Sequence, residues 1–112
     1  MDNKQAQLIS NEHFIAFYTL LLCKNEKQNI NRVINELKAT GVLWVEGIFF
    51  PTVYRLGAQG FIEKLAPQAE DSPNTSYLHI TEAGKAQLAQ WLDHWHQLQS
   101  KTTYIIDQAE QK

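Results

Sequence analysis

The sequence predicts a mainly α-helical (α+β) domain with one small β-hairpin, and three observations support this prediction. Apolar residues recur at helical spacing in separate stretches of the first half of the chain. Phe61–Leu65 and Ser76–Ile80 have the pattern of two short strands joined by a polar loop. An amphipathic stretch of roughly 28 residues then follows Thr81. Helix, hairpin and further helix in this order indicate a winged helix-turn-helix with a long final helix, a plan typical of DNA-binding proteins.

Length and charge narrow the function classes. With 112 residues, 44% apolar and 20% charged, the chain has the composition of one folded domain and not of a disordered segment. The net charge of −2 argues against a general polyanion binder. Residues 24–64 carry six basic and four acidic side chains, whereas residues 65–112 carry three basic and six acidic ones. A nucleic-acid surface is therefore expected in the middle of the chain.

Cysteine usage and hydropathy indicate a protein of the cytoplasm. Cys23 is the only cysteine, which excludes an intrachain disulfide and favours a reducing compartment. The apolar neighbours 20–22 predict a buried thiol. The apolar stretch 14–23 is too short to span a membrane, and the acidic Asp2 and Glu12 precede it, which is atypical of a signal peptide. We expect no membrane partner.

The first two helices are predicted from capping residues and apolar spacing. Ser10 or Asn11 is expected to cap the first helix, which is apolar on most sides and therefore central or in contact with a partner subunit. Asn29 is expected to cap the second helix, and Gly41 to end it, because glycine adopts the left-handed conformation of a helix C-cap. The apolar positions of the second helix follow the 3.6-residue period: Ile30, Val33, Ile34 and Leu37.

The third helix is predicted to begin near Glu46 and to contain Pro51. Proline inside a helix costs about 3 kcal/mol, but less in the first turn or just past it, where few amide hydrogen bonds are lost. Gly57 and Gly60 are expected to end this helix before the first strand. The positions expected to face the core are Phe49, Val53 and Leu56.

The last helix is predicted to begin at Thr81 and to extend about 40 Å. Its apolar residues alternate in steps of three and four, the spacing of a helix–helix seam. A domain of this size offers too little core to cover the stripe, so we expect a homodimer. The division expected is a flexible N-terminus (1–9), a winged-helix domain (10–80) and a dimerisation helix (81–112). The dimerisation residues predicted are Leu88, Trp91, Leu92, Trp95, Leu98 and Ile105.

Two motifs resemble the PadR family of bacterial winged-helix transcriptional regulators. The first is a small residue, aromatic residues and proline, then Arg-Leu, then glycine with two apolar residues. In this chain its positions are Gly47, Phe49, Phe50, Pro51, Arg55, Leu56, Gly60, Phe61 and Ile62. The second is an aromatic strand followed by Ile-Thr-Glu-x-Gly, here Tyr77–Gly84. The resemblance covers about residues 12–100.

The resemblance implies a homodimeric repressor that binds double-stranded promoter DNA. The third helix would enter the major groove, the hairpin would contact flanking phosphates or the minor groove, and the long helix would join two copies. Some family members bind flat aromatic effectors near the dimer interface. This chain departs from the family pattern in three respects. It has Phe50 where a tyrosine is usual, an acidic hairpin loop (68–74), and few base-reading groups on its third helix.

Eight side chains are candidates for contacts with DNA. Thr52 and Tyr54 flank the core-facing stripe of the third helix and are expected to contact DNA there. Arg55 is expected to bind a phosphate or a guanine edge, and the alternative is a structural ion pair with Glu46, Glu63 or another acid. The remaining candidates are cations expected on phosphates, with a solvated surface as the alternative: Lys24, Lys27, Arg32, Lys38 and Lys64.

Trp91 and Trp95 lie four residues apart, on one helix face. They are expected in the dimer core, with a stacking site for an aromatic ligand as the alternative. His94 and His96 fall on different faces, and the chain lacks a second cysteine, so we expect no metal site. No catalytic motif is present, and we expect neither enzymatic activity nor a cofactor.

Three function hypotheses follow from the sequence. The first is a DNA-binding transcriptional regulator that uses the third helix. The second is a winged-helix protein that acts through protein contacts, which the acidic loop and acidic net charge motivate. The third is a ligand-responsive sensor that binds aromatic compounds through Trp91 and Trp95.

Overall fold

The computed structural model describes residues 11–41, 46–68, 70–71 and 75–111. In this part of the chain it contains four helices and a three-stranded antiparallel sheet. The fold class predicted from the sequence, mainly α with a small hairpin, is confirmed. The possible cap Ser10 lies outside the described residues. The helices are α1 (Asn11–Leu22), α2 (Ile30–Ala39), α3 (Glu46–Ala58) and α4 (Glu82–Glu110); the strands are β1 (Gln28–Asn29), β2 (Ile62–Leu65) and β3 (Tyr77–Ile80).

Helix α1 is central, as its apolar sequence predicts. It packs against α2, α3 and α4, and Ile15 and Leu20 are fully buried. Thr19 is buried beside them and donates its hydroxyl hydrogen to the carbonyl of Ile15 at 2.6 Å, which satisfies the polar group inside the core. The predicted burial of Cys23 is confirmed, and removal from water raises the pKa of its thiol to about 11.

Strand β1 and helix α2 are joined by a cap. The Asn29 side chain accepts a hydrogen bond from the amide of Asn31 at 2.8 Å, as predicted. Gly41 has φ +80° after the helix ends, the left-handed conformation expected of it. The sequence does not predict β1, in which Gln28 and Asn29 pair with β3, because two polar residues carry no strand period.

Helix α3 begins at Glu46, as predicted, and its core-facing Phe49 and Leu56 are buried. Pro51 is the sixth residue of the helix, beyond the four amides that lack a partner at a helix start, so α3 lacks the hydrogen bond that an amide at this position would donate to the carbonyl of Gly47. Gly57 lies inside the helix and does not end it, which corrects the prediction. The chain turns two residues beyond α3, at Gly60, whose φ of +81° favours glycine.

The junction between the hairpin and α4 explains the Thr-Glu-x-Gly motif. Thr81 caps α4 by accepting a hydrogen bond from the amide of Gly84 at 3.0 Å and donates its hydroxyl hydrogen to the carbonyl of Gly60 at 2.6 Å. A Cβ atom at Gly84 would collide with the Phe61 carbonyl and with Ile80. Only glycine lets α4 cross the hairpin this closely.

Among the described residues, helix α4 is buried against the core near its N-terminus. Leu88 is buried in the core, and Trp91 and Leu92 pack against the core while half-buried. Every residue of 93–111 is exposed. No helix within the described ranges is both long and apolar enough to cross a membrane. The large apolar residues exposed on α4 are Trp95, Leu98, Tyr104, Ile105 and Ile106.

Candidate nucleic-acid interface

The outer face of α3 is apolar and exposed. Phe50 and Tyr54 are separated by one helical turn, and their side chains are 52% and 78% exposed. Phe50 packs edge-on against the buried Phe49, with ring centroids 5.3 Å apart, so the core orients the exposed ring. The other residues of this outer face are also exposed: Gly47, Pro51 and Ala58.

Thr52 lies inside the domain, 2% exposed, and not on the surface where a base-reading side chain is needed. Its hydroxyl donates a hydrogen bond to the carbonyl of Ile48 at 3.1 Å and accepts one from the Arg55 guanidinium at 3.5 Å. The helical position explains this burial, since Thr52 shares the inner half of α3 with Phe49 and Leu56. In this structure it positions Arg55 and does not face outward.

Arg55 is half-exposed and paired with an acid from another helix. Its Nη2 lies 3.5 Å from Oε2 of Glu12, and the two side chains are 54% and 59% exposed. The sequence offers Glu46, Glu63 or another acid as the partner of a structural ion pair, and the structure shows that the partner is Glu12, in the first turn of α1. An exposed pair of this kind contributes about 0–1 kcal/mol. Arg55 is therefore held at the surface by a contact that a phosphate can replace.

Lys64 and Tyr54 meet at a groove between α3 and the hairpin. The groove has a volume of about 330 Å³, and Gly57 and Ala58 form part of its α3 side. Among the described residues that line the groove, Lys64 is the charged one, and it is exposed on β2. The structure thus brings together two predicted contacts that are ten residues apart in the sequence.

The other predicted cations lie between α1 and α2 or on α2. Lys24 is exposed in the turn after α1, and Arg32 and Lys38 are exposed on α2. Lys27 places its ammonium group over the Tyr77 ring, 4.8 Å from the centroid, a cation–π contact that fixes it against β3.

The acidic hairpin loop is held by Asp71. One carboxylate oxygen accepts a hydrogen bond from the Tyr77 hydroxyl at 3.0 Å, and the other accepts one from the amide of Gln68 at 2.8 Å. The hydrogen bond to Asp71 raises the pKa of Tyr77 because it stabilises the protonated phenol. The Asp71 charge thus has a structural role. Ala69 and 72–74, the rest of this loop, lie outside the described residues.

Trp91 and Trp95 line a second groove, between α1 and α4. It has a volume of about 270 Å³, and its α1 side is formed by His13, Phe14 and Phe17. Trp91 is half-buried and meets Phe17 edge-on at 6.3 Å, whereas Trp95 is 38% exposed. His94 and Leu98 complete the lining.

Leu88 does not belong to the exposed seam, which corrects its place among the predicted dimerisation residues. It is 2% exposed within a single chain because it packs into the winged-helix core. Trp91 and Leu92 also pack against this core, although they are only partly buried. Tyr104, 63% exposed, is an apolar surface residue that the seam spacing missed because it lies off the stripe.

Structural comparison identifies the fold. A PadR-like transcription factor from Bacteroides fragilis superposes with a TM-score of 0.72 at 22% identity, over 93% of this chain and 99% of that one. A PadR family transcription regulator from Clostridium difficile gives 0.74 at 13% identity, over 83% and 98%. The chain has the PadR-type winged-helix fold. A PadR family regulator from Eggerthella lenta gives 0.70 at 17% identity, over 86% and 84%.

At these identities the comparison establishes the fold and not the activity. No protein-family model matches the chain, and no curated protein sequence matches it significantly. Within the PadR-type fold, α3 is the second helix of the helix-turn-helix and β2–β3 is the wing. Sequence reasoning missed Glu12 as a member of this surface, since its pairing with Arg55 joins residues 43 positions apart.

Metal-binding side chains are scattered over the described ranges. No group of three or more histidine, cysteine, aspartate or glutamate side chains there is arranged to hold a metal ion. His94 lines the groove at α1, but His96 does not, in agreement with their placement on different faces of α4.

Proposed function

We propose that the chain is a PadR-family transcriptional regulator that binds double-stranded promoter DNA as a homodimer and represses transcription. The observation that carries this proposal is the outer face of α3. It is exposed, ordered by the core beneath it, and bordered by Arg55 and by the wing cation Lys64. A helix of this kind beside a hairpin is the surface with which helix-turn-helix proteins enter the major groove.

Two classes of contact are proposed on this surface. Tyr54 faces the bases, and Arg55 reaches a phosphate or a guanine edge once it leaves Glu12. Lys64 binds a phosphate beside the wing. Thr52 is proposed only to position Arg55. The cations Lys24, Lys27, Arg32 and Lys38 are proposed as further phosphate contacts, with Lys27 limited by its contact with Tyr77.

The dimer is proposed to form through the distal part of α4. Residues Trp95, Leu98 and Ile105 repeat at seam spacing and are exposed in the single chain. Two winged-helix domains joined in this way would reach two half-sites of one operator. Repression requires only that the dimer occupy a promoter, so it needs no contact beyond those named.

The decisive experiment is a fluorescence-anisotropy titration at about 0.15 M salt, where non-specific binding is weak. The protein is titrated against the DNA upstream of its own gene and against a scrambled duplex of equal length. We expect a preference of about a hundredfold or more for the upstream duplex, within the range of specific binders. Equal weak binding to both would favour action through protein contacts.

A variant pair tests the site. Arg55→Ala is expected to weaken binding to the preferred duplex about tenfold or more, because a charge-assisted contact to DNA is lost. Lys101→Ala is the matched control, since it removes one exposed cation on α4. Unchanged binding by Arg55→Ala, with melting and oligomeric state also unchanged, would remove Arg55 from the interface.

The groove between α1 and α4 favours a second, compatible function. It is lined by Phe17, Trp91 and Trp95, and its aromatic rings suit a flat apolar ligand. We therefore propose that a planar aromatic effector modulates the regulator. Such a compound should quench tryptophan fluorescence in wild type and less in Trp95→Leu. An unchanged spectrum across a panel of planar aromatics would contradict this role.

A further inference from the structure

The outer face of α3 has the wrong chemistry for the commonest base contacts. Specific guanine and adenine readout uses arginine, lysine, asparagine or glutamine, which form paired hydrogen bonds to base edges. None of these residues occurs on the outer stripe of α3, which carries no charge and a single hydroxyl, that of Tyr54. The stripe consists of Gly47, Phe50, Pro51, Tyr54 and Ala58.

The charged residues beside this stripe indicate which class of partner binds it. Arg55 lies about a quarter-turn around α3 from the stripe. On the opposite side, Tyr54 lines the groove that contains Lys64. An apolar strip between two cations is complementary to the edge of base pairs between two phosphate backbones. Because an exposed apolar patch marks an interaction site, the strip and its cations together favour DNA over an apolar protein surface.

We infer that Phe50, with Tyr54 beside it, reads the 5-methyl groups of thymines in the major groove. The thymine methyl is the apolar group that base edges offer there, and phenylalanine is among the side chains that contact it. Phe50 is suited to this role because it is 52% exposed and its ring is held edge-on by Phe49. Gly47 and Ala58 have little or no side chain, so α3 approaches the bases closely.

The inference extends the proposed function and rests on it. It names the feature of the operator that α3 recognises, thymines at the positions beneath Phe50, and assigns specificity to a residue without hydrogen-bonding groups. It also accounts for a mildly acidic chain that binds DNA, because part of the recognition then comes from apolar contact and not from charge.

The test uses a duplex selected by the full-length protein from a randomised 20-base-pair pool. Each thymine of this duplex is replaced in turn by deoxyuridine, which removes only the methyl group. We expect one or two positions in each half-site at which binding weakens about fourfold, the value for one buried methyl-sized group. With Phe50→Ala, the thymine and deoxyuridine duplexes should bind equally at those positions.

Two controls separate the inference from its alternatives. Phe50→Leu keeps an apolar side chain and should retain sensitivity to the methyl group, and Tyr54→Phe should retain it as well. The inference is overturned if a selected duplex is bound tightly but no thymine shows a twofold effect, or if the effect survives in Phe50→Ala. If the pool yields no preferred duplex at all, the proposed function itself fails, and with it the thymine readout. That result would leave a protein partner as the occupant of the strip.

Discussion

The two parts of α4 carry similar apolar residues in different surroundings. In Glu82–Leu92, Leu88 is buried and Trp91 and Leu92 pack on the core. Beyond residue 92 the same helix holds Leu98 at 41% exposure and Ile105 at 63%. Because one chain covers the first set and not the second, apolar spacing alone does not distinguish a core position from an interface position. The first set is expected to control monomer stability and the second set assembly.

The largest expected effect concerns the exposed part of α4, beyond residue 92. Leu98→Asp should weaken the proposed dimer at least a hundredfold, about 2.7 kcal/mol, because a carboxylate would be buried in an apolar seam. Sedimentation velocity over a concentration series measures this change. Ser100→Asp is the matched control, since residue 100 lies on the side of α4 opposite the seam. Equal dissociation by both variants, or a monomeric wild type at about 100 μM, would place the interface elsewhere.

In the packed part of α4, substitutions at the crossing with the hairpin should change the stability of the folded chain. Gly84→Ala is expected to lower the free energy of unfolding by about 2 kcal/mol or more, because its Cβ would collide with the Phe61 carbonyl. Gly57→Ala is the matched control. Its Cβ meets only the Ile62 carbonyl at 3.8 Å, so it should be neutral or stabilising by about 0.5–1 kcal/mol.

Urea denaturation measures both glycine variants at one protein concentration and again at tenfold dilution. The loss in Gly84→Ala should persist on dilution, since the contact lies within one chain. A Gly84→Ala variant as stable as wild type would show that α4 shifts along the hairpin at little cost. The close crossing would then not explain the Thr-Glu-x-Gly motif.

The buried thiol of Cys23 gives the stability of the core a dependence on pH. Burial raises the pKa of the Cys23 thiol from its ordinary value of 9.0 to about 11 in the folded chain. The unfolded chain therefore loses this proton first as the pH rises. The stability that this thiol contributes is fully present below pH 9. Between pH 9 and 11 the free energy of unfolding then falls by about 1.4 kcal/mol per pH unit.

Comparison with Cys23→Ala isolates the effect of the thiol. The variant loses stability at every pH because a buried side chain is truncated, so the slope against pH is the relevant quantity. Urea denaturation between pH 8.5 and 10.5 should show a steeper decline for wild type than for Cys23→Ala. Parallel declines would mean that the thiol is not shielded from water.

Much of this fold could be predicted from the sequence, for a physical reason. Helices α2 and α3 bury one face each, so their apolar period is visible locally, as are the caps Asn29 and Thr81. Strand β1 was missed because two polar residues have no period. The sequence does not distinguish Gly57 from a helix end, because glycine is common both in turns and where helices approach other backbone.

The candidate interface was less predictable, because it depends on contacts between distant residues. Thr52 was expected on DNA as a polar residue, although its angle on the helix places it with Phe49 and Leu56. The ion pair of Arg55 with Glu12 joins α3 to α1 across 43 positions, and nothing in the local sequence marks it. The exposed Phe50 became informative only when the structure showed it outside the core.

The smallest expected effect lies at this ion pair, which links the helix at the centre of the core to the proposed DNA surface. Glu12→Gln should strengthen binding of the preferred duplex about two- to fivefold at 0.05 M salt. In the variant, Arg55 does not have to break an ion pair with a carboxylate before it binds a phosphate. The gain in affinity should shrink as salt screens the charges.

Glu110→Gln changes the net charge equally at the far end of α4 and is the matched control. An equal gain in both variants would assign the effect to net charge, whereas a gain confined to Glu12→Gln would show that α1 restrains Arg55.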